Sequence, residues 1–181
     1  MYMKTNILRV GILSLIALFA SSSLVMGQNR GNKKARPSPN AVISQTIGTT
    51  VVDVTYGRPG LKGREIESLV PAGKVWRTGA NESTTITFSG DVKIAGKAVS
   101  AGTYSLYTIP GEYEMTIIIN SKLSWGTQYD ESQDVLRVNV PNSNQGAFVE
   151  WFTIDFDNLS DSSANMNLKW GVYEVAVPIE L

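Results

Sequence analysis

Residues 103–119 read TYSLYTIPGEYEMTIII, and their pattern decides the fold class. Two runs rich in Thr, Tyr and Ile flank Pro110-Gly111, a turn dipeptide, and neither run carries a helical stripe. The pair is a β-hairpin with a short turn. On its second arm Tyr113, Met115, Ile117 and Ile119 recur at every second residue, so they share one face.

The same pattern repeats in both directions. Upstream lie strand signals at 42–47, 51–56, 84–88 and 92–94, and a short piece at Val99 between Gly96 and Gly102. In 51–56, Val52, Val54 and Tyr56 alternate with Asp53 and Thr55. Downstream, 135–140 points Leu136, Val138 and Val140 inward, and 150–156 does the same with Phe152, Ile154 and Phe156. Residues 164–170 align Met166, Leu168 and Trp170, and 172–181 aligns Tyr173, Val175, Val177 and Ile179. Gly, Pro, Asn, Asp and Ser clusters separate the runs. The only helix candidate is one turn near 65–70. About nine or ten short strands with one-sided alternation predict an all-β fold, an antiparallel two-sheet β-sandwich of jelly-roll-like form.

One stretch breaks the pattern. Residues 58–82, RPGLKGREIESLVPAGKVWRTGANE, form a 25-residue connection without clean period. Connections are usually about 4–6 residues, and long ordered ones tend to carry function. Trp76-Arg77 sets a flat apolar ring beside a bidentate donor, a pairing that suits a sugar ring, a carboxylate or a phosphate. Asn81 and Glu82 add hydrogen-bonding groups. Arg58, Lys62 and Arg64 form a second cationic group, with glycines that let backbone approach an anion. Trp125 and Tyr129, in the polar loop 121–134, offer to extend the aromatic surface, although loop aromatics often pack locally. The candidate ligand-binding set is therefore Arg58, Lys62, Arg64, Trp76, Arg77, Asn81, Glu82 and Trp125. The bland reading has Trp76 plugging the end of the fold, with Gly79 and Asn81 supplying turn geometry.

Composition narrows the chemistry. The chain of 181 residues has no cysteine and no histidine. That removes disulfides, thiol nucleophiles, histidine-based triads and histidine-ligated metal sites. No catalytic residue, metal site or cofactor is assigned. Carboxylate pairs remain for glycoside hydrolysis, since acids are plentiful. Asp157, Asn158 and Asp161 carry oxygen ligands, but not at the spacing of a calcium loop.

The N-terminus reads as an export signal. Lys4 and Arg9 precede the apolar run 10–20, which is too short to span a membrane, and Val25 and Gly27 fit cleavage after residue 27. The expected organisation is a signal peptide over 1–27, a flexible leader over 28–39 and a single domain over 40–181. Removing the signal takes away two basic residues and leaves 14 basic against 16 acidic, a net charge of −2. That balance argues against nucleic acid as a partner. The chain is expected to be exported, periplasmic or secreted, without a membrane span after cleavage. Its expected partner is a glycan or a small anion, or alternatively another protein.

Longer motifs carry a resemblance. PSPNAVISQTIGTTVVDVTYGRPGLKGR at 37–64 and LVPAGKVWRTGANESTTITFSGDVKIAGKAVSAGTYSLYTIPG at 69–111 are the most specific, followed by WGTQYDESQDVLRVNV at 125–140 and EWFTIDFDNLSDSSANMNLKW at 150–170. Together they resemble a family of exported bacterial proteins known as domain of unknown function 2911, over about residues 37–181. The resemblance implies a secreted or periplasmic protein of Bacteroidetes-type bacteria. It transfers no catalytic residue.

Overall fold

A computed structural model describes residues 35–181. The expected signal peptide and most of the leader lie outside the described residues. Eleven strands form, in chain order β1 Asn40–Ile47, β2 Thr50–Gly57, β3 Thr84–Phe88, β4 Val92–Ile94, β5 Lys97–Val99, β6 Gly102–Pro110, β7 Glu114–Asn120, β8 Asp134–Ser143, β9 Val149–Asp157, β10 Ser163–Gly171 and β11 Tyr173–Glu180. One helical turn, α1 Ile66–Leu69, interrupts the long connection where the sequence placed it. No helix among the described residues is long and apolar enough to cross a membrane.

The expected fold class holds, and the expected architecture changes. The strands are antiparallel and all lie in one sheet, ordered β1-β2-β3-β6-β7-β8-β11-β10-β9, with the β4–β5 hairpin attached to β11. The two-sheet sandwich gives way to a nearly closed barrel.

Two joints make the difference, and both use residues that read as loop. Strand β8 runs past Pro141, pairing first with β7 and then, through Asn142 and Ser143, with β11. A proline lacks the ladder donor and normally ends a central strand; here it sits where β8 changes partner. On the other side the chain continues beyond β2. Leu61 N–H donates to Glu150 O at 3.0 Å, Phe152 N–H donates to Pro59 O at 2.9 Å, and Gly60 bridges Trp151. Ile154 N–H adds a bond to the Tyr56 hydroxyl at 2.9 Å. The outer strands β1 and β9 thus approach each other, with the bridging bonds running from residues 56–61 to β9, so the barrel is nearly but not fully closed.

Alternation fills the interior. Val52, Val54, Ile86, Phe88, Leu106, Ile117, Ile119, Ile154, Met166, Val177 and Ile179 are buried in one continuous core. Tyr113, placed by period on the inner face of β7, is instead 74% exposed, because it lies in the hairpin turn before β7 begins. The outer face of the β3–β6–β7 wall is covered as well: Ser83, Ser105, Tyr107 and Ile118 are buried there beneath the connections 76–83 and 121–133.

Candidate functional site

The long connection forms part of the barrel wall. Trp76 forms a two-way bridge with Thr108 of β6: Trp76 N–H donates to Thr108 O at 2.7 Å, and Thr108 N–H donates to Trp76 O at 2.9 Å. Extended backbone sends successive side chains to opposite faces. Trp76 therefore points into the barrel and Arg77 out of it. The two residues that the sequence suggested as one surface are separated by the wall itself.

On the inner side Trp76 joins an aromatic cluster at the barrel mouth. Its ring stacks on Trp170 (5.6 Å, 14°) and meets Phe152 edge-on (4.9 Å, 71°). Both indole N–H groups are satisfied, Trp76 by Gly79 O and Trp170 by Glu150 O, each at 3.1 Å. The rings thus present only apolar surface. Together with Val70, Met115, Leu168 and Val175 they line a cavity of about 90 Å³. α1 covers it: Ile66 packs over the opening, and Glu67 accepts a hydrogen bond from the Tyr173 hydroxyl at 2.7 Å. That bond holds the Glu67 carboxyl below its ordinary value and, with some desolvation, raises the Tyr173 phenol. Glu67 is the one acid in the cavity lining. A general acid needs a raised value and glycoside hydrolysis needs a second carboxylate, and this cavity supplies neither, while Glu65, Glu67 and Glu150 line the adjoining surface pocket.

On the outer side Arg77 lies in a groove between residues 69–77 and 126–129. Its Nε is buried without an acceptor. Gly126 makes the close approach possible: a Cβ there would lie 2.1 Å from Arg77 Cδ. Tyr129 borders the groove, its ring against buried Tyr107 at 4.9 Å. Its hydroxyl donates to Asp134 at 2.6 Å and accepts from Arg137 at 2.5 Å. Burial, then the bond to Asp134, pushes the Tyr129 phenol up to about 12.

The other candidates are engaged elsewhere. Arg58 donates to Phe152 O at 3.0 Å and Thr153 Oγ1 at 2.7 Å, which ties the seam. Arg64 caps its own loop through Leu61 O and Gly60 O. Lys62 sits 5.7 Å above the Trp151 ring, at the far end of the loop from Arg77. Asn81, at positive φ, donates to Ser38 O. Glu82 receives a bidentate pair from Arg36, with Nη1 to Oε2 at 2.8 Å and Nη2 to Oε1 at 3.1 Å. Within the expected flexible leader, then, residues 36–39 are docked against 58 and 81–82. Trp125 is 51% exposed; its backbone bridges Glu82, and its ring lies outside the groove lining. No group of three or more acids gathers at metal distance among the described residues.

Sequence reasoning did not select Trp170, Tyr173, Glu67 or Lys74 as site residues: Trp170 and Tyr173 come from distant strands, and Glu67 and Lys74 read as ordinary loop charges. The separation of Trp76 from Arg77 follows from extended backbone at the bridge to Thr108, which the aperiodic sequence of the connection does not announce.

The family model described as Protein of unknown function (DUF2911) matches residues 38–179. No curated protein matches. No solved structure matches.

Proposed function

The chain belongs to that family of proteins of unknown function, and we propose that it is a non-catalytic binding protein that takes a small apolar molecule, or the apolar end of a larger one, at the barrel mouth. One observation carries this reading: three aromatic rings with every indole donor satisfied surround an apolar cavity under a one-turn cover. Barrel mouths are common ligand sites, and an apolar cavity without polar partners does not hold water well. A glycan is favoured less, since sugar recognition needs hydrogen-bonding groups beside the ring faces and the cavity offers Glu67 and Tyr173, already bonded to each other. Export to the periplasm or medium is part of the proposal and rests on the signal-like residues 1–27.

The test uses benzene and indole as probes in thermal denaturation of the protein. At about 100 times its dissociation constant a ligand adds about 2.7 kcal/mol, a readable rise in midpoint. Ala72→Phe, at the cavity rim, is expected to fill the space and abolish the rise while the variant stays folded. No rise at saturating probe, or an undiminished rise in Ala72→Phe, would remove the mouth cavity as the site.

A further inference from the structure

Arg77 is the described arginine left without a partner. Arg36, Arg58, Arg64 and Arg137 each donate to a carboxylate, a carbonyl or a hydroxyl. Arg77 makes no such bond, and its Nε is shielded from water. A donor N–H that has lost water without gaining an acceptor is costly. The fold nevertheless holds it in place, with glycine at 126 where any side chain would collide with it.

The groove around it is suited to one class of anion. Lys74 supplies a second cation, and no acid lines the space. Leu69, Val70, Pro71, Val75, Trp76 and the Tyr129 ring form the apolar part of the walls, with Thr127 as a polar neighbour. The volume is about 470 Å³, within the range of small-molecule sites. A guanidinium fork matches a carboxylate through two parallel bonds, while a lysine acts as a point charge. Apolar walls beside two cations favour a carboxylate on an apolar body over a bare, strongly hydrated anion.

We propose that this groove, on the opposite side of the barrel wall from the mouth cavity, binds an aliphatic or aromatic monocarboxylate, with Arg77 as the bidentate donor and Lys74 as the supporting charge. The groove shares Val70 and Trp76 with the wall of the mouth cavity, but it opens on the other side and does not require that cavity to be occupied.

The experiment is an NMR titration of the full chain, labelled with ¹⁵N-arginine, with sodium benzoate as probe and inorganic phosphate as the comparison anion. Benzoate is expected to move the Arg77 Nε–H signal saturably and to leave the other arginine side-chain signals in place. Arg77→Gln should weaken binding at least tenfold, and Lys74→Gln severalfold. Gly126→Ala, which keeps the arginine but forces it aside, should weaken binding as well and serves if Arg77→Gln fails to fold. The proposal is overturned if benzoate moves no arginine signal, if Arg77→Gln binds as tightly as the parent, or if phosphate saturates the site and benzoate does not.

Discussion

Trp76 and Arg77 are neighbours in sequence and opposites in the structure. Trp76 is held by two backbone bonds, an indole bond and two ring contacts, and it closes the barrel mouth. Arg77 is half-buried, faces outward, and its guanidinium meets no acceptor. The inner residue has its requirements met within the fold; the outer one does not. Consistency of this kind marks architecture, and a local exception that the fold maintains marks a place to look for a ligand. Trp76 is accordingly both structural and cavity-lining, whereas the Arg77 guanidinium has no hydrogen-bonding role within the described fold.

The largest expected effect tests the inner side. Trp76→Ala removes the ring that packs on Phe152 and Trp170 and should cost about 3–5 kcal/mol in chemical denaturation. A loss below about 1 kcal/mol would place the ring outside the core. Next comes the leader contact. Arg36→Ala strips three hydrogen bonds from Glu82, a carboxylate only 7% exposed, and should cost about 1–3 kcal/mol. An unchanged midpoint would mean that the docked leader adds nothing.

A smaller effect lies at alkaline pH. The Tyr129 phenol is raised from 10.0 to about 12 by burial and by its bond to Asp134, so the unfolded chain loses this proton first. Its contribution to stability is intact below about 10 and fades between about 10 and about 12. Tyr129→Phe should flatten that part of the stability curve; an equally steep fall in the variant would reassign it to other groups. The smallest effect is at Tyr107, which is 0% exposed with a hydroxyl that meets no partner. Tyr107→Phe should leave stability unchanged or raise it by less than about 1 kcal/mol, and a clear loss would reveal a hidden partner.

Strand identity was legible because alternation at Val52-Val54-Tyr56 or Phe152-Ile154-Phe156 reflects local burial. Closure was not. It depends on Pro59–Gly60–Leu61 and Asn142–Ser143 pairing with distant strands, while their composition signals a turn. The role of Trp76 as an end plug was readable from the loop, but its separation from Arg77 needed the bridge to Thr108 to establish extended backbone there. The Arg36–Glu82 pair spans 46 positions, and nothing local in either residue announces it. Arg58 and Arg64 show the converse: their cationic character was evident, but carbonyls supplied by the fold occupy them.

The central claim is that one wall carries two separate sites. Its most direct test is a single NMR titration in which benzene and benzoate are added in both orders, with the Trp76 Nε1–H and Arg77 Nε–H signals followed together. Benzene should move the Trp76 signal and benzoate the Arg77 signal, each with an affinity unaffected by the other. Mutual displacement, or both probes moving the same signal, would contradict it.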